Sequence, residues 1–273
     1  MIPAPFDYKR ASSAEEAIAL IAEAGDEAKF LAGGHSLLPL MRLRLAQPSV
    51  LIDVGRISDL SYIRDAGDHI AIGALTRHRD VETSELLKSQ VPLLAHAASH
   101  VGDPQVRHRG TIGGSIAHSD PASDLPATVL ALGGSMVAKG PNGERVIPAR
   151  EFFKGFLESA LAPDELLTEI RVPKLPGAGW SFQKFNRRAQ DWAIVGVAAV
   201  RNGHTGVALV NMGPTPVFAQ AVVDALASGA SAEEAAQLAA DDADPTADLN
   251  ASVEYRVHLA KVLVRRALEE AGA

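Results

Sequence analysis

The chain has 273 residues, of which 47% are hydrophobic, and a formal net charge of -7, so it has enough apolar material for a large core. No apolar run reaches the roughly eighteen residues that a membrane-spanning helix needs. The sequence contains no cysteine, which excludes disulfides, a thiolate nucleophile, cysteine-ligated zinc and an iron–sulfur cluster held by this chain. The mild acidity and the scattered basic residues argue against nucleic acid as a partner. The N-terminus lacks the pattern of a secretion signal, and we expect a cytoplasmic protein with a small-molecule or protein partner.

Residues 1–55 predict a small α/β unit. Ser13, with Glu16 three residues later, forms a capping-box pattern, and the apolar spacing that follows predicts a helix that ends at Gly25. The other predicted elements are a strand at 29–32, a short apolar segment at 37–45 and a strand at 49–54.

Residues 56–175 predict a second α/β unit, which the Pro-rich and Gly-rich segment 173–179 separates from the rest. Residues 101–124 are rich in Gly, His, Asp and Pro and show no sustained period, which predicts a long functional loop. The regular elements predicted around this loop are strands at 62–64 and 69–72, helices at 81–87 and 93–100, and strands at 135–138, 145–147 and 166–172.

Residues 176–273 predict a C-terminal domain of three strands and several helices. The strands are predicted at 180–185, 193–200 and 206–212, and the Asn202-Gly203 turn joins the last two. Ser231 and Glu234 form another capping-box pattern in the helical remainder. The last helix is predicted to place Tyr255, Leu259, Val262 and Ala267 on one face.

Two glycine pairs stand beside hydroxyl residues, in Ala32-Gly33-Gly34-His35-Ser36 and in Thr111-Ile112-Gly113-Gly114-Ser115. Glycine lets a ligand approach the backbone, and consecutive amide N–H groups with flanking hydroxyls can hold a phosphate, so two such loops can hold a pyrophosphate from both sides. Neither string has the spacing of the Rossmann fingerprint or of the P-loop. From the residues alone, tight turns and a ligand site both remain open.

Other residues could suggest a metal site or a hydrolase, but the sequence lacks the motif for either. His96 and His100 have the i, i+4 spacing of a metal pair, but no third ligand is in register and there is no H-E-x-x-H motif, so we predict no metal site. The G-x-S-x-G motif of hydrolases is also absent. Asp124 and Lys184, read alone, are predicted to be solvated surface residues. The histidines and aspartates considered as metal ligands are His35, His78, His96, His100, His108, His118, Asp103, Asp120 and Asp124.

Taken together, two strings resemble the FAD-binding medium subunits of molybdenum hydroxylases: AGGHSLLPLMRLRLA at 32–46 and RGTIGGSIAHSDPASDLPA at 109–127. The resemblance extends nearly end to end, including FQKFNRRAQDWAIVGVAA at 182–199 and SVEYRVHLAKVLVRRAL at 252–268. Within this family the chain is most similar to the medium chains of aerobic carbon monoxide dehydrogenases, which are themselves similar to the flavin domain of xanthine dehydrogenase.

The resemblance implies an α+β fold of the vanillyl-alcohol-oxidase-like (PCMH) type. It consists of two α/β subdomains, 1–55 and 56–175, that bind FAD, followed by a C-terminal domain of three antiparallel strands and helices at 176–273. By position, the family's cofactor-binding residues correspond to Ala32, Gly33, Gly34, His35, Ser36 and Leu37, to Thr111, Ile112, Gly113, Gly114 and Ser115, and to Val101, Asp124, Leu167 and Lys184. The family pattern places no catalytic residue and no metal ligand on this chain. Ser115 stands where many relatives carry Asp or Asn, and Trp192 where Phe or Tyr is common.

The same resemblance implies an electron-transfer role. Electrons from a molybdenum-cofactor large subunit would pass through the 2Fe-2S clusters of a small subunit to FAD on this chain, and then to an external acceptor. It also implies a dimer of heterotrimers and a peripheral contact with an acceptor at the membrane. Two alternatives remain: a stand-alone flavoprotein oxidase of the same fold, and a scaffold subunit that has lost FAD.

Overall fold

The computed structural model describes residues 2–201 and 204–272. Its N-terminal part is a parallel sheet with two helices. In chain order the elements are β1 (Asp7–Arg10), α1 (Ala14–Ala24), β2 (Ala28–Leu31), α2 (Leu37–Arg42) and β3 (Val50–Asp53), and the sheet order is β1-β3-β2.

The structure confirms both predicted ends of α1. The Ser13 side chain accepts a hydrogen bond from the amide of Glu16, and Gly25, at φ 72°, ends the helix. The carboxylate of Glu16 bonds the amide of Ser12, at 2.7 Å, rather than that of Ser13. The sequence does not predict β1, because its side chains are mostly exposed and show no apolar alternation.

The middle of the chain is a five-stranded antiparallel sheet covered by helices. The sheet order is β4-β5-β10-β6-β7, and β8 pairs with β9 apart from it. The elements are β4 (Ile63–Asp65), β5 (His69–Gly73), α3 (His78–Thr83), α4 (Glu85–Gln90), α5 (Pro92–Ser99), α6 (Pro104–Arg109), α7 (Ile112–His118), α8 (Asp124–Ala131), β6 (Ser135–Gly140), β7 (Gly143–Pro148), α9 (Ala149–Phe152), β8 (Phe153–Gly155), β9 (Glu158–Ser159) and β10 (Leu166–Pro173).

The prediction of a long loop at 101–124 is wrong, because α6, α7 and the start of α8 occupy it. Asp103 caps α6, in which Pro104 is the first residue, and Thr111 caps α7. Helices of six and seven residues are too short for a helical period to show in the sequence. The single helix predicted at 81–87 is also wrong, since Ser84 ends α3 and caps α4.

The C-terminal part confirms the three predicted strands as an antiparallel sheet, which a two-residue fourth strand extends. The capping box of Ser231 and Glu234 is present in full. The predicted Asn202-Gly203 turn lies outside the described residues. The elements are β11 (Gly179–Phe185), β12 (Val195–Arg201), β13 (Gly206–Val210), β14 (Val217–Phe218), α10 (Gln220–Ala227), α11 (Ala232–Ala236) and α12 (Val253–Glu270).

The buried face of α12 differs in part from the predicted one. Leu259 and Ala267 are buried as predicted, whereas Tyr255 is 43% exposed. Val262 is half-buried and does not belong to the buried face. Arg256 is buried instead, where its guanidinium donates to the carbonyl oxygen of Ile194 and pairs with Asp248. A buried arginine of this kind leaves no apolar signal in the sequence.

Three apolar cores hold the sheets and helices together. The largest lies between the five-stranded sheet and its helices and extends to Phe182 and Ala198 of the C-terminal sheet. The N-terminal core includes Leu75 and Leu166 from the middle of the chain. Each sheet lies within one predicted unit. The N-terminal core nevertheless crosses the predicted boundary at 55, and the largest core crosses the one at 175. No helix in 2–201 or 204–272 is long and apolar enough to cross a bilayer.

Candidate functional site

The first glycine loop, residues 32–37, joins the end of β2 to the start of α2. Gly34 has φ +79°, which a residue with a side chain adopts only with strain. The amides from Gly33 to Leu37 donate to no acceptor within the described residues. Since backbone N–H groups rarely stay unpaired except toward solvent or a ligand, this loop presents a row of free donors suited to an anion.

The second glycine loop, residues 109–115, leads into α7 and has already used its amides from Ile112 to Ser115. Ile112 donates to the Thr76 carbonyl at 3.0 Å, and Gly113 donates to the Ala74 carbonyl at 2.9 Å. Two further amides are also bonded: Gly114 donates to Thr111 Oγ1 at 3.1 Å, and Ser115 donates to the Thr111 carbonyl at 3.1 Å. The first loop therefore has unbonded amides among the described residues, while the second loop has bonded its amides from Ile112 to Ser115 within the protein.

The two loops touch through glycine. A Cβ atom on Gly33 would lie 2.3 Å from the carbonyl oxygen of Arg109 and 2.9 Å from the Cα of Gly110. A Cβ on Gly113 would lie 2.5 Å from the Cβ of Ala74, so this glycine packs against the segment after β5. Glycine is required here for close approach of backbone to backbone, which the tight-turn interpretation of the two pairs does not account for.

Two arginines lie near the first glycine loop, and Asp103 partly opposes their effect on the pKa of His35. The guanidinium of Arg77 donates to the carbonyl of Arg109 and, at 3.3 Å, to that of Gly55. The Arg109 side chain is exposed at the contact between the loops. Burial, and next the charge of Arg109, lower the pKa of His35 in this loop. Cations around a row of free amides strengthen the attraction for a negatively charged group.

A buried ion pair joins the middle of the chain to the C-terminal sheet. The Nζ of Lys184, on β11, lies 2.8 Å from Oδ2 of Asp124 and 2.9 Å from the carbonyl oxygen of His100. The two side chains are 5% and 6% exposed, so the prediction that they are solvated is wrong. Burial raises the pKa of Asp124 to about 6, although Lys184 opposes this shift. The sequence does not show that β11 brings Lys184 against the first residue of α8.

One atom of this pair is left without a partner. Oδ1 of Asp124 is buried and accepts no hydrogen bond within the described residues. A buried carboxylate oxygen without a donor is costly, and a ligand hydroxyl can remove that cost. Asp124 is thus suited to accept a hydrogen bond from a hydroxyl group of a ligand.

The remaining predicted residues lie at two places. Val101 directly follows His100, the carbonyl partner of Lys184, and packs half-buried against the largest core. Leu167 lies on β10 in the same core and is 5% exposed. The Nε2 atoms of His96 and His100 are 3.2 Å apart, and no group of three or more metal-binding side chains occurs in the described part of the chain.

These features fit FAD. Its pyrophosphate is an anion that matches the free amides of the first glycine loop and the neighbouring Arg109, and its ribityl chain supplies the hydroxyl groups that Asp124 can accept from. The site and the α+β fold therefore fit a protein that binds an anionic cofactor carrying a hydroxyl group.

Comparison with known proteins gives the family. Residues 4–175 match the family described as "FAD binding domain in molybdopterin dehydrogenase", and residues 180–271 match the "CO dehydrogenase flavoprotein C-terminal domain". The chain belongs to the FAD-binding subunits of molybdopterin dehydrogenases. This confirms the predicted family, its α+β fold, the FAD cofactor and the oxidoreductase class.

Individual relatives are similar to this chain over nearly its whole length. The carbon monoxide dehydrogenase medium chain of Hydrogenophaga pseudoflava is 43% identical, over 100% of this chain and 99% of the relative. A subunit of the 6-hydroxypseudooxynicotine dehydrogenase complex of Paenarthrobacter nicotinovorans is 38% identical, over 99% and 96%. The structure matches that of H. pseudoflava carbon monoxide dehydrogenase lacking the Mo-pyranopterin moiety, with a TM-score of 0.96 and 44% identity, covering 99% of this chain and 98% of that chain.

Sequence reasoning missed three residues of this site. Arg77 and Arg109 were among the basic residues that look scattered, and only the fold brings them to the first glycine loop. His78, considered only as a metal ligand, is 3% exposed beside the second loop. Segment 74–78 runs antiparallel to 110–113, and no local pattern in the sequence signals that pairing.

Proposed function

We propose that this chain is the FAD-binding electron-transfer subunit of a carbon monoxide dehydrogenase-like complex. Bound FAD supplies the ability to accept electrons from iron–sulfur clusters and to pass them to an external acceptor. The residues of this chain bind and orient that cofactor. The observation that carries the proposal is the row of free amides from Gly33 to Leu37, in contact with the second glycine loop and next to Arg109.

Each group of predicted residues has a part in this proposal. The amides of Gly33 to Leu37, in the loop that begins at Ala32, bind the pyrophosphate, while Thr111 to Ser115 approach it from the other side with the hydroxyl of Ser115. Asp124 accepts from a hydroxyl of the cofactor, and Lys184 keeps that carboxylate ionised and in place, as their 2.8 Å contact supports. Val101 and Leu167 supply apolar surface near the flavin ring.

Partner subunits hold the other redox centres. The chain has no cysteine, so the 2Fe-2S clusters belong on another subunit. By resemblance to the family, we assign them to a small subunit and the molybdenum cofactor to a large subunit. We propose a dimer of these heterotrimers in the cytoplasm, with a peripheral contact to a membrane acceptor. Two relatives of similar identity carry the names of carbon monoxide and 6-hydroxypseudooxynicotine dehydrogenases, so the substrate depends on the large subunit. Units at 1–55, 56–175 and 176–273 remain our proposed domain division.

The test compares the isolated full chain with the assembled complex. Each is loaded with FAD, made anaerobic and mixed with carbon monoxide or an N-heterocycle, while the flavin absorbance is followed. We expect the flavin to stay oxidised in the isolated chain and to bleach in the complex.

Two other outcomes separate the alternatives. Bleaching of the isolated chain by a substrate supports a stand-alone oxidase. A complex that oxidises its substrate while this chain holds no flavin supports a scaffold role. Loading of Gly33→Ala in the same complex checks that the flavin occupies the proposed site.

A further inference from the structure

His78, the first residue of α3, lies beneath the second glycine loop and is 3% exposed. Its backbone amide donates to the carbonyl of Gly110 at 3.0 Å. Its ring packs directly against the same residue, since a Cβ on Gly110 would lie 2.6 Å from Cδ2 of the histidine. The ring is therefore a fixed part of the loop's support, and it brings two polar nitrogens into a buried place.

The two ring nitrogens have different surroundings. Nε2 lies 3.4 Å from Oγ of Ser115, whereas Nδ1 is buried without a partner among the described residues. Burial, together with the neighbouring His35, Arg107 and Arg77, lowers the pKa of His78 to about 4. At neutral pH the ring is uncharged and carries one N–H.

The surroundings select which nitrogen carries that hydrogen. With the hydrogen on Nδ1, a buried N–H donor would have no acceptor, which is rare in proteins. With the hydrogen on Nε2, the ring donates to Ser115 Oγ and leaves only a lone pair unpaired at Nδ1. The second arrangement is the less costly one, because unpaired acceptors are better tolerated than unpaired donors.

We propose that His78 is a positioning residue for the cofactor: its Nε2–H donates to Ser115, which leaves the hydroxyl hydrogen of this serine free to donate to the anionic part of FAD. The proposal rests on the proposed function, because it needs FAD at the second glycine loop. It also fits the state of that loop, where the amides from Ile112 to Ser115 are already bonded within the protein. The hydroxyl of Ser115 is therefore the donor that this loop can direct to a ligand.

The test is a double-mutant cycle on FAD affinity in the full chain assembled with its partner subunits. The variants are His78→Leu, Ser115→Ala and the double variant, each assayed by the FAD dissociation constant. We expect each single change to weaken FAD binding on the order of 10-fold, which is about 1.4 kcal/mol. The double variant should be no weaker than Ser115→Ala alone, because His78 acts through that serine.

A conservative variant and a spectroscopic measurement complete the design. His78→Gln places an amide N–H near the position of Nε2 and should retain FAD affinity within a few fold of the wild type. The 15N chemical shifts of the histidine rings in the wild-type chain should report an Nε2–H tautomer for the signal that His78→Gln removes.

Additive losses in the double variant would show that His78 only packs beneath the loop. An Nδ1–H tautomer in the wild type would also overturn the proposal, and His78→Gln serves in this measurement only to assign the signal. A wild-type complex without FAD would instead contradict the proposed function, so the two failures are distinguishable.

Discussion

The two glycine loops resemble each other in sequence, yet their backbone amides are bonded differently in the fold. The first, residues 32–37, has free amides from Gly33 to Leu37. The second, residues 109–115, has used the amides from Ile112 to Ser115 for contacts with segment 74–78 and for the first turn of α7. A glycine pair beside a hydroxyl therefore does not by itself identify a phosphate-binding backbone.

What distinguishes the loops is the chain that faces them. Antiparallel pairing with 74–78 supplies carbonyl acceptors to the second loop, and Thr111 caps its helix. The first loop lies between a strand end and a helix start, without a pairing segment for its amides. The second loop is thus bonded to the protein around it, and our proposal assigns most of the donors to the first loop. The predictions below test that division, beginning with the largest expected effect.

Gly33→Ala should abolish stoichiometric flavin. The new Cβ would lie 2.3 Å from the Arg109 carbonyl, so the two loops must separate and the amides move away from their common ligand. We expect FAD affinity to fall on the order of 100-fold, about 2.7 kcal/mol. Flavin content per chain after gel filtration of the assembled complex is the measurement, and full retention of FAD would contradict the role of the first loop.

Gly113→Ala should destabilise the fold more than it disturbs the ligand. Its Cβ would lie 2.5 Å from the Cβ of Ala74, in the segment 74–78 that packs against the second loop. Overpacking of this kind costs about 1–3 kcal/mol of unfolding free energy. A lowered thermal midpoint of the FAD-free chain is expected. Normal stability combined with lost FAD would mean that the second loop binds through its backbone after all.

Acidification should weaken the support of the second loop through His78. Its folded pKa of about 4 is below the ordinary value, so the unfolded chain binds the proton more readily. The stabilisation is complete above the ordinary pKa of about 6.5 and is lost as the pH falls toward 4. Its loss should amount to about 1 kcal/mol of unfolding free energy between pH 7.5 and 5.5.

The matched comparison for this prediction is the wild type against His78→Gln at each pH. Other titrating groups cancel in the difference, including Asp124, whose raised pKa works in the opposite direction. The unfolding free energy of the wild type relative to His78→Gln should fall by about 1 kcal/mol as the pH falls from 7.5 to 5.5. A difference that stays constant between pH 7.5 and 5.5 would mean that His78 does not titrate as inferred.

The elements that the sequence predicts correctly are those with a clear period or cap. The Ser13 cap, the Ser231 capping box and the strands from β2 to β6 follow local rules. Helices α6 and α7 escape such rules, because they are shorter than two helical turns and contain glycine or proline. Family resemblance gives the cofactor and the candidate residues, which composition and spacing leave open.

The details of the site depend on contacts that no local pattern carries. Lys184 and Asp124 are 60 positions apart and meet only in the fold, where α8 packs across the neighbouring strands β12 and β13 and β11 packs beside α5. Arg77 and Arg109 reach the first loop through the pairing of two segments 32 positions apart. Residue types that are usually solvated become informative here only once their burial is known.

Gly114→Ala should have the smallest effect of the glycine changes. Its Cβ would meet a single neighbour, Oγ1 of Thr111 at 2.7 Å, which is a side-chain atom that can move. Alanine also favours the helix in which this residue lies, so part of the strain is offset. We expect a change within about 0.5 kcal/mol in unfolding free energy and little loss of flavin. Comparing Gly114→Ala with Gly33→Ala in the same complex distinguishes the first loop, whose amides are free for the ligand, from the second loop, whose amides are bonded within the protein. Equal loss of flavin in both variants would show that the two loops share the cofactor evenly.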